Sequence, residues 1–575
     1  MTDPRIKMLP DDLVNKIAAG EVIERPASVV KELIENSIDA GAGKIVIEIQ
    51  NAGKKLIRVS DNGSGMTGPE VELAVERHST SKINKLDDLF KLNSLGFRGE
   101  ALPSIASVSV FEMMSKTADN DAGSLMRVEG GKKAKAEEMG APIGTTVSVR
   151  DLFFNTPARK KFLKSDYTEM GHIGDIVSRF VMAYPMIAFE LVSDGKKLIA
   201  SFGTGSLRDA VVSVYGVEIA KELLEVSLRS GPIGIEGLIS RPNTSRIDRS
   251  YENFFVNGRC VNNFLLNRAL EEAYRTLIPN NRYPIAVLFV DLNPGLVDVN
   301  VHPSKREVKF ENTRQVMNAV REAVSIALKK ALDQTAPSAT TPQPGILAYG
   351  ETFQREWKPE MAEILFSNID QALPATRIEV EMEVSAIQPL VPIYQFKDTY
   401  ILSTDGMDLV VIDQHAAHER ILYDRLSNKP SPDTSQPLLI PETLELNPKE
   451  SIVLNDHLDY LRSLGFDLEE FGNNSYLLRA VPALAVKSQI KQMIADMISE
   501  LQELGRAAQL EVKKEKIRKL VACHSAIKAG DKLTGQEMNQ LIKDLFATNN
   551  PLTCPHGRPT MFKITENELI KRFGR

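Results

Sequence analysis

"ASVVKELIENSIDAGAGKIVIEIQ", residues 27–50, places a helical pattern directly before a strand-like one. Apolar residues recur every three to four positions through residues 30–38, so Glu32 and Asn36 lie one turn apart on a common helical face. Isoleucines at every other position then predict a strand with one buried face. A carboxylate and an amide on one helical face can be merely an exposed polar stripe, so the neighbouring sequence has to decide.

The next stretch, "KLIRVSDNGSGM" at residues 55–66, favours a binding site. It predicts a second strand in which Asp61 lies on the same side as Ile57 and Val59. A carboxylate on an apolar face is costly unless it has a dedicated partner, and the exocyclic amino group of a purine suits that role. Gly63 and Gly65 follow directly and let the backbone approach a flat ligand closely.

A glycine-containing segment extends this candidate nucleotide site. "HSTSKINKLDDLFKLNSLGFRGEALPSI", residues 78–105, ends in a helical pattern, and backbone amides at a helix start can cradle phosphates. Taken alone, G-F-R-G is simply a turn. The candidate contacts are Thr80, Ser81, Lys82, Gly96, Phe97, Arg98 and Gly99, with Thr145 added by the later stretch "GTT".

Length and composition set the outer limits. A chain of 575 residues exceeds the roughly 250–300 residues of a single core, so at least two lobes are expected. No apolar run is long enough for a membrane helix and no signal core is present, which predicts a cytoplasmic protein. The net charge of −6 argues against a globally basic nucleic-acid coat. Local contacts with DNA backbone remain open at Arg159, Lys160, Lys161 and Lys164, although such a charge run is more often a solvated face.

The second half contains candidate metal ligands in three segments. "DLVVIDQHAAHERILYDRL", residues 408–426, predicts a buried strand ending at Asp413, then a helix with His415 and Glu419 one turn apart. Thiolate and imidazole with carboxylate favour zinc or manganese-like ions over magnesium. Alone, a cysteine in an apolar helix is more often core, and a single C-x-H is a weak signal. The later candidates are Cys523, Cys554 and His556.

The ordered motifs E-x-x-x-N, D-x-G-x-G, G-F-R-G-E-A and G-T-T resemble the GHKL ATPases, which include gyrase-type topoisomerases, heat-shock chaperones, histidine kinases and MutL mismatch-repair proteins. The resemblance is closest to the MutL family and covers about residues 6–330, through "SLGFRGEALPSI", "DLFFNTPARKKFL" and "VDVNVHPSKREVKF". It implies an α+β multidomain fold: a GHKL ATPase α/β sandwich at 1–205, a second, transducer-like α/β subdomain at 206–332, a flexible linker at 333–384, and a C-terminal α/β dimerisation and endonuclease domain at 385–575.

The same resemblance implies roles in ATP hydrolysis. Glu32 would be the general base and Asn36 would coordinate Mg²⁺ on ATP. Asp61 would recognise the adenine amino group, and Lys305 would reach the γ-phosphate from the second subdomain. The other implied nucleotide contacts are Gly65, Thr80, Ser81, Lys82, Gly96, Phe97, Arg98, Gly99 and Thr145.

In the C-terminal half, "DQHAAHE", Cys523 and "CPHGRP" resemble the motifs of MutL proteins that nick DNA themselves. The resemblance implies Zn²⁺ or Mn²⁺ in this domain, with Asp413 and Glu419 catalytic. Asp424 departs from the family, which has glutamate there, and His524 stands where a basic residue is commoner; His418 has no family role. The implied metal ligands are Asp413, His415, Glu419, Cys523, Cys554 and His556.

The family also implies partners: double-stranded DNA without sequence preference, the mismatch sensor MutS, a second copy of the chain, and a sliding clamp docked on "QPLLIP", Gln436 to Pro441. During repair the protein would be associated with the nucleoid. Two functions stay open, a nicking endonuclease and a non-nuclease ATPase matchmaker that only relays mismatch recognition. The cysteine and histidine motifs favour the first. A topoisomerase-like or chaperone-like ATPase is a distant third.

Overall fold

The computed structural model describes residues 23–80, 95–96, 99–279, 281–298, 308–335, 390–428, 435–472, 474–485, 489–504 and 510–573. The chain divides into two compact units. One consists of Met1–Leu332 with Glu419–Ala526, and the other of Asp333–His418 with Ile527–Arg575. No helix in the described ranges is long and apolar enough to cross a membrane.

The quoted opening stretch forms a helix and a strand, as predicted. The helix begins with Pro26, whose fixed φ suits a first turn, and buries Val29, Val30, Leu33 and Ile34 completely or nearly so. Elements of this first part of the chain are α1 Pro26–Asp39, β1 Lys44–Gln50, β2 Leu56–Asp61, α2 Gly68–Ala74, α3 Ala101–Ser107, β3 Val110–Lys116, β4 Gly123–Glu129, β5 Lys132–Lys133, β6 Glu137–Met139, β7 Gly144–Arg150, α4 Pro157–Phe162, α5 Asp166–Ala183, β8 Ala188–Ser193 and β9 Lys196–Ala200.

These strands form one sheet in the order β5-β4-β3-β7-β2-β1-β8-β9, with β6 also paired to β4. The pairs are antiparallel except β1 with β8. Helices α1 and α5 pack together over the sheet and share its apolar core, in which Ile45 and Ile47 are fully buried. Since β2 ends at Asp61 next to β7, the sheet places the predicted adenine-binding residue beside Thr145.

A second sheet follows in the same unit, in the order β10-β11-β16-β13-β14, backed by a core that includes Tyr274 and Val320. A long helix, Thr313–Thr335, ends this part of the chain. The elements are α6 Leu207–Tyr215, α7 Val217–Lys221, β10 Leu223–Ser230, β11 Ile233–Ser240, β12 Ser245–Arg246, β13 Glu252–Val256, β14 Arg259–Val261, α8 Phe264–Tyr274, β15 Tyr283–Pro284, β16 Ala286–Asp291, β17 Val297–Asp298, β18 Lys309–Phe310 and α9 Thr313–Thr335.

The C-terminal half contributes to both units. In the second unit the sheet order is β19-β20-β21-β25, and in the first unit it is β22-β24-β23. The elements are β19 Val391–Phe396, β20 Tyr400–Thr404, β21 Leu409–Asp413, α10 Gln414–Asn428, β22 Ser435–Glu445, α11 Pro448–Ser463, β23 Asp467–Glu470, β24 Ser475–Pro482, α12 Ile490–Leu504, α13 Leu510–Ser525, α14 Gly535–Phe546, β25 Met561–Ile564 and α15 Glu566–Arg572.

The α+β multidomain fold class is confirmed by these sheets and their helices. The exact domain boundaries at 205, 332 and 384 stay predictions, and most of the predicted linker lies outside the described residues.

Candidate nucleotide site and metal centre

Asp61 is held in a fixed position at the end of β2. Its Oδ2 accepts a hydrogen bond from the Ser37 hydroxyl at 2.8 Å, and its Oδ1 accepts from the backbone amides of Gly63 at 2.9 Å and Thr145 at 3.3 Å. Burial raises the pKa of Asp61, while these three hydrogen bonds act in the opposite direction. The carboxylate is therefore oriented before any ligand arrives, as a base-recognition residue requires.

Two glycines next to Asp61 allow strands and turns to approach closely. A Cβ at Gly65, where φ is +69°, would lie 2.0 Å from the backbone oxygen of Lys116. A Cβ at Gly144, where φ is +111°, would lie 2.0 Å from the backbone oxygen of Asp61. Gly65 was predicted from ligand approach, and the structure adds that backbone packing alone already excludes a side chain there.

Glu32 and Asn36 lie on successive turns of α1, both partly buried. The Glu32 carboxylate is 3.2 Å from the Lys31 ammonium, which also contacts Glu35 at 3.0 Å. Burial opposes the charge of Lys31, but the two carboxylates outweigh it and raise the lysine's pKa. Lys31 therefore lies as a cation between the Glu32 and Glu35 carboxylates on this helix.

The predicted phosphate segment is described at Thr80, Leu95, Gly96 and Gly99. Gly99, with φ of +62°, packs so closely that a Cβ would lie 2.5 Å from the backbone oxygen of Ser79. Its own carbonyl accepts from the His78 amide at 3.2 Å. The predicted contacts that lie outside the described residues are Ser81, Lys82, Phe97, Arg98 and Lys305.

In the C-terminal half, Asp413 ends β21 and caps the following helix α10. Its Oδ1 accepts from the amides of His415 at 2.9 Å and Ala416 at 3.0 Å, while its own amide donates to the Thr560 carbonyl at 2.9 Å. Aspartate is a preferred residue for this role because it satisfies otherwise unpaired first-turn amides. The sequence prediction missed the cap, although an aspartate between a strand and a helix signals it.

Two pairs of predicted ligands have ligand atoms that lie within 4.8 Å of each other: Glu419 and Cys523 in the first unit, and Cys554 and His556 in the second. His415 and Glu419 are four residues apart in the sequence of α10. The Glu419 side chain is buried, with 3% of its surface exposed.

His415 has the tautomer that a metal ligand needs. Its Nδ1 lies 2.8 Å from the Ile527 carbonyl, which can only accept, so Nδ1 carries the proton. In the neutral imidazole, Nε2 is then the unprotonated nitrogen that can coordinate a cation, an arrangement typical of metal-binding histidines. This donor set of imidazole, thiolate and carboxylate fits zinc or manganese-like ions.

Cys554 and His556 are placed by a tight backbone turn. The Cys554 amide donates to the Arg558 carbonyl at 2.8 Å, and the Gly557 amide donates to the Cys554 carbonyl at 2.9 Å. Cys554 is buried, with 1% of its surface exposed, whereas His556 is exposed. The turn therefore buries the Cys554 thiol and leaves the His556 imidazole exposed.

The three positions that depart from the family motifs have other partners. Asp424 lies 3.4 Å from Arg420 on the next turn of α10, and the ligand groups found among the described residues do not include it. His524 Nε2 lies 2.9 Å from Asp496 Oδ2. His418 Nδ1 accepts from the Ile527 amide at 2.9 Å, so this histidine fixes the same loop that orients His415.

Gln414 is a structural residue that the sequence prediction did not single out. It is fully buried, and its amide nitrogen donates to the backbone carbonyls of Asp398 at 2.8 Å and Lys528 at 3.0 Å. Its side-chain oxygen accepts from Gln395 at 2.6 Å. A buried, fully bonded amide of this kind fixes the start of α10 and, through Lys528, the loop that holds His415. The only sequence signal was its place between Asp413 and His415.

Two predicted interaction segments are exposed. Gln436 to Pro441 lies within β22, whose pairing register with β24 shifts between Pro437 and Glu442, and Leu439 and Ile440 are 104% and 80% exposed. Lys160 and Lys161 on the short helix α4 and Lys164 after it are exposed, whereas Arg159 on α4 is half-buried.

Three family descriptions match the chain. Residues 23–143 match "Histidine kinase-, DNA gyrase B-, and HSP90-like ATPase", residues 211–329 match "DNA mismatch repair protein, C-terminal domain", and residues 393–533 match "MutL C terminal dimerisation domain".

Relatives match over the whole chain. Two curated proteins described as DNA mismatch repair protein MutL are 40% identical to it: that of Halothermothrix orenii over 100% of both chains, and that of Geobacter sulfurreducens over 99% of both chains. A solved structure titled "Aquifex aeolicus MutL ATPase domain complexed with ADP" is 29% identical, covers 52% of this chain and 98% of that chain, and has a TM-score of 0.38.

Proposed function

The chain belongs to the MutL family of DNA mismatch repair proteins, and from that premise we propose that it is an ATP-dependent homodimeric clamp that nicks DNA at a metal-dependent centre. It carries a GHKL-type ATPase domain, so ATP hydrolysis is its first activity. The proposed part is how individual residues perform it, and the second activity in the C-terminal half.

For ATP hydrolysis we assign Glu32 as the base that takes a proton from the attacking water and Asp61 as the acceptor for the adenine amino group. Mg²⁺, held through Asn36, would neutralise charge on the phosphates when bound with ATP. Lys305 and the segment around Gly96 to Gly99 would contact the phosphates. The fixed Asp61 carboxylate and the Lys31–Glu32 ion pair support these roles.

The nuclease proposal rests on one observation, the hydrogen bond between His415 Nδ1 and the Ile527 carbonyl, which directs Nε2 to a cation. The family resemblance supplies the other proposed ligands of Zn²⁺ or Mn²⁺, which are Asp413, Glu419, Cys523, Cys554 and His556. A bound divalent metal would supply polarisation of the scissile phosphate and a water of lowered pKa. Asp413 and Glu419 are the carboxylates we assign to orient the attacking water and accept its proton. A P–O bond to that water would form as a P–O bond of one strand breaks, and the departing sugar oxygen would take up a proton from solvent.

Partners follow from exposed surfaces and from the family. The C-terminal residues 393–533 match a dimerisation domain, and β19 is an edge strand with Val391, Ile393 and Tyr394 more than half exposed. Apolar Leu439 and Ile440 suit a sliding-clamp pocket. The cations of α4 suit sequence-independent contact with double-stranded DNA. Recruitment by the mismatch sensor MutS would bring the protein to the nucleoid.

The test is nicking of supercoiled plasmid with Mn²⁺ by the wild-type protein and by Asp413→Asn. Asparagine also caps helices, so this variant keeps the start of α10 while it removes the charge. Asp467→Asn on the exposed part of β23 is the matched control. Nicking that is lost in Asp413→Asn and kept in Asp467→Asn supports the nuclease.

No nicking by any of these proteins, in preparations that hydrolyse ATP, would sink the nuclease proposal. The matchmaker function would then hold, with residues 413–424 serving the fold alone. The cap formed by Asp413 and the ion pair of Asp424 with Arg420 are the observations that favour this second candidate.

A further inference from the structure

Asp39 stands where helix electrostatics disfavour it. It is the last residue of α1, and the C-terminal end of a helix carries partial negative charge that repels carboxylates. The last turn of α1 contains no basic residue to offset this. The position therefore calls for donors from elsewhere in the fold.

Those donors are two successive backbone amides. The Leu95 amide donates to Asp39 Oδ1 at 3.0 Å, and the Gly96 amide donates to Oδ2 at 3.2 Å. Leu95 and Gly96 begin "LGFRGEA", the segment we assign to the ATP lid. Both oxygens of one carboxylate thus hold the start of that segment, with charge-assisted hydrogen bonds.

A residue of the second subdomain also contacts the Leu95–Gly96 peptide. The Arg259 guanidinium, on β14, donates to the Leu95 carbonyl at 3.5 Å. The neighbouring Tyr184 hydroxyl donates to the Gly258 carbonyl at 3.2 Å. Burial, followed by the charges of Glu35 and Asp39 and opposed by Arg259, raises the pKa of Tyr184 to about 12. The charges of Asp39 and Arg259 therefore both act on this region of the fold, in opposite directions.

We infer that Asp39 and Arg259 are positioning residues that fix the start of the ATP lid from two sides. Asp39 ties it to α1, the helix that carries Glu32 and Asn36, and Arg259 ties it to the subdomain that carries Lys305. The anchor holds Leu95 and Gly96 against the helix of Glu32 and Asn36 and makes the position of these two residues sensitive to the second subdomain. The inference rests on the proposed assignment of residues 96–99 to the lid.

Asp39→Ala tests the first anchor, with Asp39→Asn as the conservative variant and the exposed Asp119→Ala as control. We expect kcat/KM for ATP to fall about 10- to 100-fold in Asp39→Ala, the range for a lost charge-assisted hydrogen bond. Asp39→Asn keeps one acceptor and should recover part of the loss. Unchanged kinetics in Asp39→Ala would overturn the inference.

Hydrogen exchange supplies a readout that hydrolysis does not affect. The amides of residues 95–96 should exchange faster in nucleotide-free Asp39→Ala, with β2 unchanged. Loss of protection throughout α1 and β2 would instead reveal a role in the fold alone and contradict the anchor. If the wild-type protein hydrolysed no ATP, the proposed function would fail, and exchange at residues 95–96 would still decide on the anchor.

A double-mutant cycle tests whether the two residues act on one element. Arg259→Ala alone should also lower kcat/KM, and Arg259→Lys, which keeps the charge, should lower it less. Because both residues hold the Leu95 peptide, the double variant should lose clearly less than the product of the two single losses. Losses that multiply fully would contradict a shared anchor. These Arg259 variants also decide the question if Asp39→Ala does not fold.

Discussion

The proposed nucleotide site and the proposed metal centre are built in opposite ways. The described nucleotide residues come from neighbouring elements of one sheet and its covering helix, and Asp61 meets Ser37, Gly63 and Thr145 through regular strand pairing. The proposed metal ligands come from three segments of the chain, 413–419, 523 and 554–556, and the first of these is held by a cap, a histidine and a buried amide. The first site is a product of secondary structure, and the second depends on the packing of loops.

This difference predicts how each site fails. A change in the nucleotide site should remove one chemical function and leave the fold intact, because strand pairing holds the backbone. A change in the metal ligands should release the loops that the metal joins, because metal binding and loop order are coupled. The following predictions test this comparison, from the largest expected effect to the smallest.

Glu32→Gln should lower kcat for ATP hydrolysis by about 10²- to 10⁴-fold, the range for loss of a general base, while ATP binding persists. Steady-state hydrolysis and equilibrium binding of a fluorescent ATP analogue measure the two effects. Bound metal in the C-terminal half should not change. Equal loss of binding and hydrolysis would contradict the assigned role, since Glu32 would then be a binding residue.

Cys554→Ser should lower the affinity for Zn²⁺ by more than about 100-fold, because a buried ligand is lost and outer-shell changes alone cost 10- to 100-fold. Metal content after dialysis measures this, and the turn at residues 554–558 should show faster hydrogen exchange. Cys260→Ser is the matched control, since the chain has three cysteines and Cys260 belongs to neither site. Equal metal content in both variants would break the comparison.

Asp61→Asn should weaken ATP binding about 10- to 100-fold, because a charged acceptor is lost. Stability of the nucleotide-free protein should not fall. Burial raises the folded-state pKa of Asp61, so its contribution to stability is full below the unfolded-state pKa and lost as pH rises through the folded-state value. At neutral pH the charge therefore costs stability, and asparagine removes that cost. A lower melting temperature than that of Asp119→Asn would contradict this.

Glu252→Gln should have the smallest effect, confined to stability at high pH. Glu252 is buried in the second subdomain; burial, and then the charge of Glu271, raise its pKa from 4.5 to about 8. Its contribution to stability is therefore full below about pH 4.5 and lost as pH rises through about 8. The variant should be more stable by about 1–3 kcal/mol at pH 9 and unchanged at pH 4. Urea denaturation at both pH values checks this, and a uniform shift would refute it.

The sequence predicted regular structure well because its signals are local. The periodicity of residues 27–61 predicted α1, β1 and β2, with Asp61 at the end of its strand. Helix and strand periods depend on neighbours a few residues apart, so a single sequence contains them. The resemblance to a family supplied the roles of the residues on those elements.

The contacts that sequence could not predict join distant segments. No local sequence pattern near Asp39 predicts that its carboxylate accepts hydrogen bonds from amides 56 and 57 residues away. The hydrogen bond between His418 and Ile527 spans 109 residues, and it assigns a structural partner to a histidine that had no expected role. The sequence leaves open whether Asp424 is a metal ligand, and the ion pair between Asp424 and Arg420 is seen only in the structure of α10.

In the adenine-binding role that we propose for it, the fixed carboxylate of Asp61 has a consequence for the choice of nucleobase. Its oxygens already accept from Ser37, Gly63 and Thr145, so the side chain cannot rotate to suit another ligand without losing these bonds. Adenine offers an amino group at the position where guanine has a carbonyl oxygen. In guanine, the carbonyl oxygen would face the Asp61 carboxylate, and neither group can donate a hydrogen bond. The pocket would therefore reject GTP because both oxygens would lose water without gaining a partner, rather than because of the size of the base. Selectivity between the two purines is then set by the unliganded protein.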